Sequence, residues 1–97
     1  MRYEIAFAPE AVEDLKLLKG AARSKLRAAL ETHLRHEPTK LSRSRIKRLR
    51  GVRRPQYRLR VEEVRVFYDV VGDTVEILAI VPKPEAGKWL AQFGKHI

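Results

Sequence analysis

Residues Gln56 to Val81 read QYRLRVEEVRVFYDVVGDTVEILAIV. Apolar and polar side chains alternate through three runs, Gln56–Val61, Val64–Val71 and Thr74–Val81. A period of two is the pattern of half-buried strands. Glu62-Glu63 and Gly72-Asp73 separate the runs and are short enough for two-residue hairpin turns. Such turns set the register. In the first hairpin Val61 faces Val64, Arg60 faces Arg65 and Arg58 faces Phe67. In the second, Phe67 faces Leu78 and Arg65 faces Ile80. One sheet face then carries Tyr57, Leu59, Val61, Val64, Val66, Tyr68, Val70, Val75, Ile77 and Ala79. The other carries Arg58, Arg60, Arg65, Phe67, Leu78 and Ile80. Like charges directly opposite across strands are destabilising, so Arg60 against Arg65 breaks a local rule, and such breaks mark function. The bland alternative is that these arginines pair with Glu62, Glu63, Asp69 or Glu85.

Working outward, Arg2 to Ala8 alternates and is a further strand, with Tyr3, Ile5 and Phe7 on one face. Pro9 suits a first helical turn, where its missing N–H would have no partner. Val12, Leu15 and Leu18 form a stripe, and Gly20 closes that helix as its C′ residue. A second helix spans about Ala21 to Arg35, with Leu26, Leu30, His33 and Leu34 on one side and Pro38 as its stop. Beyond the last strand, Trp89, Leu90 and Phe93 line one side of a short helix within Glu85 to Phe93, placed to cover Phe67 and its neighbours. The expected fold is α+β and a single domain over residues 1–97. It has a four-stranded, mostly antiparallel sheet, an N-terminal αα-hairpin on one face and a short C-terminal helix near the other.

Charge is local. The net charge is +9, yet Pro38 to Val61 holds ten Lys or Arg and no acid, while the rest of the chain holds eleven basic and twelve acidic residues. A field this concentrated recruits a polyanion. Lys40 to Arg54 is expected to be a basic loop, with Lys40, Arg43, Arg45, Lys47, Arg48, Arg50, Arg53 and Arg54 as candidate RNA-binding residues. No apolar run approaches the roughly 20 residues that cross a bilayer. The chain has no cysteine, which fits a reducing compartment. A soluble cytoplasmic protein with no membrane partner is the expectation. His33, His36 and His96 are scattered, and there is neither a Gly-rich phosphate loop nor a nucleophile motif. No metal and no cofactor are expected; His96 is expected in a free tail.

Leu49-Arg50-Gly51, Tyr57-Arg58-Leu59-Arg60, Val64-Arg65-Val66-Phe67-Tyr68 and Ile80-Val81-Pro82-Lys83, in that order after a strand and a helical hairpin, resemble the RelE/ParE superfamily of type II toxin–antitoxin toxins. The resemblance implies a toxin neutralised by a cognate acidic antitoxin. The RelE branch cuts mRNA in the ribosomal decoding site, which would make the ribosome and mRNA partners of this chain and translation its target. Matched by position, the catalytic set is Arg58, Arg60, Arg65 and Lys83. Where the RelE pattern has an arginine after that lysine, this chain has Pro84. At the late aromatic position it has Leu90, with Trp89 beside it. The ParE branch shares the fold and inhibits DNA gyrase. A non-catalytic RNA-binding module is the third reading.

Chemistry assigns roles within that set. Attack by a 2′-hydroxyl on phosphorus needs a base, an acid for the 5′-oxygen and stabilisation of the phosphorane. Arginine grips phosphate oxygens in bidentate fashion but does not readily give up its proton. Arg60 and Arg65 are therefore the expected phosphate clamp, Arg58 orients the substrate or assists the leaving oxygen, and Lys83 is the candidate base.

Overall fold

The computed structural model describes residues 1–97. Its elements are β1 (Glu4–Phe7), α1 (Pro9–Leu17), α2 (Gly20–Leu34), β2 (Ile46–Arg48), β3 (Val52–Arg54), β4 (Tyr57–Val61), β5 (Val64–Val71), β6 (Thr74–Pro82), a 3-10 turn (Lys83–Glu85), α3 (Ala86–Phe93) and β7 (Lys95–His96). The α+β class holds. The sheet has five strands rather than four, in the order β1-β6-β5-β4-β2, and a separate pair joins β3 to β7. β1 runs parallel to β6, and the other pairings are antiparallel.

The extra strand, β2, lies inside the stretch expected as loop. Ile46 is buried opposite Leu59, and that burial anchors a strand too short to display a period. The Ser42 hydroxyl accepts the N–H groups of Arg45 and Ile46, each at 3.0 Å, and closes the turn that starts it.

The β4–β5 hairpin has the expected register throughout, from Val61↔Val64 to Tyr57↔Tyr68. The β5–β6 hairpin follows the expected register only from Val71↔Thr74 to Tyr68↔Ile77. It then slips by one residue, to Phe67↔Ala79, Val66↔Ile80 and Arg65↔Val81. Leu78 is the extra residue of a bulge, and everything beyond it changes face. Ala79 therefore joins Phe67, and Ile80 joins the helix-side core, the reverse of expectation. The slip falls where β1 gives way to α1. Ala8 N–H donates to Ile77 O at 2.8 Å, and the Asp14 carboxylate of α1 accepts the Ile80 N–H at 2.9 Å in place of a strand.

The helices pack on one sheet face. In α1 Leu15 is buried and Leu18 packs on the core as expected, but Ala11 is buried in place of Val12, which is 38% exposed. Gly20 does not cap α1; it is the first residue of α2. Arg23 supplies what a glycine cap would have, donating to the carbonyls of Lys16 (3.1 Å) and Leu18 (2.9 Å) at the end of α1. Leu26, Leu30 and Leu34 of α2 are buried with Leu59, Val66, Tyr68, Val75 and Ile77. On the other sheet face α3 covers a second cluster, as expected. Phe67, Ala79 and Val81 lie beneath Trp89 and Leu90, and the Trp89 ring stacks on Phe67 with centroids 4.8 Å apart. The tail is not free. His96 pairs with Val52, and Ile97 N–H donates to Gly51 O at 3.2 Å. No helix is long and apolar enough to cross a membrane.

Candidate nucleic-acid interface

Arg58 and Arg60 alternate along β4, and their cross-strand partners on β5 are Phe67 and Arg65. All three arginines thus lie on the face that carries Phe67, as the alternation implied. They differ in depth. Arg60 is exposed, Arg58 half-buried and Arg65 only 6% exposed. Arg65 is held from below: its Nη1 donates to the carbonyls of Glu62 (2.8 Å) and Val64 (3.0 Å).

None of the three is ion-paired. Glu62 turns to Lys25 of α2 at 3.6 Å, Asp69 is taken by Arg54, and Glu63 and Glu85 form no ion pair. The Arg58 Nε is buried without a hydrogen-bond partner. Burial, then Arg65, then Arg60 push the Arg58 pKa below the ordinary arginine value. Arginine stays charged regardless. The depressed value records a cation that is poorly solvated and repelled by its neighbours, a state an incoming anion would relieve.

Lys83 begins the 3-10 turn just past β6, and its N–H donates to Glu63 O at the tip of the first hairpin, 2.8 Å away. It is exposed and stands at the sheet end nearest the Arg60–Arg65 row.

The candidate RNA-binding residues separate into groups. Lys47 stands opposite Arg58, so β2 brings it to the arginine face instead of leaving it in a loop. Arg45, just before β2, gives its carbonyl to the Arg60 N–H at 2.9 Å and sits at the sheet edge, between a depression shared with Arg60 and one shared with His33 of α2. Arg48 has the opposite parity. Its guanidinium lies 5.4 Å over the Tyr57 ring, which stacks on Tyr68, and it donates to Gln56 O at 2.7 Å. Arg54 is neutralised between Asp69 (3.0 Å) and Glu76 (2.6 Å) and stands apart from the free cations. Lys40 makes an exposed pair with Glu37 at 3.6 Å. Arg43, Arg50 and Arg53 are exposed and unpaired.

Sequence reasoning counted Lys47 among the RNA-binding candidates but placed it in a loop, and it missed Asp69 as a residue of the site. Asp69 is buried, accepts the Gln56 N–H at 2.7 Å and pairs with Arg54, so it pins the segment that leads into β4. Burial pushes its pKa up, while the Gln56 N–H and Arg54 pull it back. Tyr57 and Tyr68 lie on the helix side. The Tyr68 hydroxyl donates to Pro38 O at 2.7 Å, and burial pushes its pKa up. No group of three or more His, Cys, Asp or Glu side chains is arranged to hold a metal ion.

The profile of the ParE toxin of the type II toxin–antitoxin system parDE matches residues 5–86. The fold is also similar to three solved toxins. One is the archaeal RelE–RelB complex from Pyrococcus horikoshii OT3, at 26% identity over 86% of this chain and 97% of that one, TM-score 0.64. A second is the RelB–RelE antitoxin–toxin complex from Methanococcus jannaschii, at 24% identity over 87% and 96%, TM-score 0.65. The third is an E. coli toxin RelE mutant in the free state, at 22% identity over 94% and 93%, TM-score 0.69. No curated protein matches the chain.

Proposed function

The chain belongs to the ParE toxin family, within the RelE/ParE superfamily of type II toxin–antitoxin toxins, and on that premise we propose that it is a ribosome-dependent mRNA endoribonuclease that arrests translation. The observation that carries this reading is the arginine face: Arg58, Arg60 and Arg65 share one sheet surface with no carboxylate on any of them. A surface meant for a protein groove has little reason to hold three unpaired cations together. A phosphodiester supplies the missing anion.

The geometry refines the roles. Arg60 is exposed and Arg58 half-buried, so these two reach the phosphate oxygens. Arg65 already spends Nη1 on two carbonyls. It acts as a fixed, poorly hydrated charge beneath them, and such preorganised charge stabilises a developing phosphorane most. In the reaction the ribose 2′-oxygen bonds to the adjacent phosphorus as it loses its proton, the bond to the 5′-oxygen breaks, that oxygen takes a proton from water, and a 2′,3′-cyclic phosphate and a 5′-hydroxyl result. Lys83, at the sheet end, is the candidate for taking the 2′-proton, and positioning by the ribosome supplies part of the rate.

Its partners in this reading are the ribosome, mRNA and a cognate acidic antitoxin that covers the arginine face. Two of the similar solved structures are antitoxin–toxin complexes, and a net charge of +9 calls for an acidic neutraliser. A cytoplasmic location follows from the target. Two observations favour a second reading, DNA gyrase inhibition: the matching profile is that of ParE, and Pro84 stands where the RelE pattern has an arginine. Induction of the protein without its antitoxin separates the two. Rapid loss of mRNA without DNA-damage signalling supports RNA cleavage. DNA-damage signalling with intact mRNA replaces it with gyrase inhibition.

A further inference from the structure

The edge strand β2 does more than complete the sheet. Lys47 pairs with Arg58, and Arg45 meets Arg60 through the 2.9 Å backbone bond. Residues two apart on a strand lie about 6.6 Å apart on one face, and neighbouring strands about 4.8 Å apart. The backbone positions of Arg45, Lys47, Arg58 and Arg60 thus mark the corners of a small cationic rectangle. None of the four is ion-paired.

Beside it lies a polar depression of about 280 Å³ lined by Ser44, Arg45, Arg60 and Glu62, and its one acid is turned toward Lys25. The strand is fixed by buried Ile46 and by the Ser42 hydroxyl. Its last residue, Arg48, is committed to Tyr57 on the other side.

We propose that β2 and the residue leading into it are the track for the RNA strand, with Arg45 and Lys47 holding two successive phosphates next to the one gripped by Arg58 and Arg60. This inference rests on the RNA reading above and adds to it which of the many surface cations touch RNA. The spacing along β2 suits neighbouring phosphates of an extended single strand. Cations on a paired strand lose less freedom on binding than the same charges on a loop. Lys47 and Arg45 are positioning residues here. They hold the strand in register; the chemistry stays with the arginines of β4 and β5.

The test is binding of the purified protein to a fluorescent oligouridylate across a salt series, comparing two doubly substituted variants of equal charge loss. Each phosphate contact on a single strand contributes about 0.7 to the log–log salt slope. Arg45→Gln with Lys47→Gln is expected to flatten the slope by about 1.4, and Arg43→Gln with Arg53→Gln by less than half of that. The exchange Arg45→Lys with Lys47→Arg is expected to keep the parent slope. If both charge-removing variants flatten it equally, or the loop variant does so more, the track is wrong and RNA binding stands. A charge-preserving exchange that flattens the slope would show the losses to be structural and overturn the track as well. A parent protein with no salt-dependent binding removes both the track and the RNA reading.

Discussion

Arg60 lies directly opposite Arg65 across β4 and β5, and neither has a carboxylate partner. Opposed like charges cost a sheet up to about 1 kcal/mol. The arrangement therefore serves something other than stability. Arg65→Met keeps the length of the side chain and removes the repulsion, at the loss of two hydrogen bonds to carbonyls. Replacing a buried charge by an apolar group of similar volume is often neutral or stabilising. Unfolding in urea should therefore shift by no more than about 1 kcal/mol, while toxicity on induction disappears. A variant that unfolds much more easily would mean that Arg65 is structural.

Trp89 stacks on Phe67 and roofs the second apolar cluster, although α3 has no fully buried residue. Trp89→Ala should cost about 2 kcal/mol, less than a core aromatic because the ring is half exposed. Urea denaturation followed by far-ultraviolet circular dichroism checks this. A loss below about 0.5 kcal/mol would show that α3 is not held by the stack.

Glu62 occupies the left-handed region, with φ of 52°, at the turn between β4 and β5. A non-glycine residue there stores about 1 kcal/mol. Glu62→Gly releases it, offset in part by the added freedom of the unfolded chain. The expected net gain is about 0.5 kcal/mol, or roughly 2–4 °C in thermal midpoint for a domain of this size. A lower midpoint would contradict the strain.

Asp69 links stability to pH with an unusual sign. Its pKa in the fold is raised, first by burial, above the ordinary 3.8. The folded state therefore binds the proton more tightly than the unfolded state. Its stabilising contribution is fully present below the unfolded pKa and is lost as pH rises through the folded one. Asp69→Asn, which keeps an acceptor for the Gln56 N–H, removes that dependence. Between pH 3 and neutrality the parent should lose stability relative to the variant as pH rises. A parent that gains instead would show that the Arg54 pair outweighs the burial of the carboxylate.

Much of this was legible in residue order. The β4–β5 register followed from alternation and a two-residue turn, and with it the shared face of Arg58, Arg60 and Arg65. The β5–β6 register did not follow beyond Tyr68. Leu78, Ala79 and Ile80 are all apolar, so a one-residue slip leaves no trace in the pattern, and Asp14, which takes the Ile80 N–H beyond the bulge, is distant in sequence. The cap expected at Gly20 came instead from the Arg23 side chain. Lys47 was among the candidates, but its place on a strand of the arginine face was not legible. Three residues of strand within a basic run show no period, and only the burial of Ile46 reveals which way its neighbours point.

The most direct measurement is primer extension on mRNA bound to programmed ribosomes, with the purified parent and its Arg65→Ala and Arg65→Lys variants. The parent should cut within the decoding site. Arg65→Ala should cut about 10²–10³ more slowly, and Arg65→Lys should recover only part of the rate, since lysine keeps the charge but loses the planar fork. If Arg65→Ala cuts as fast as the parent, or the parent leaves ribosome-bound mRNA whole, the arginine face is not a nuclease site.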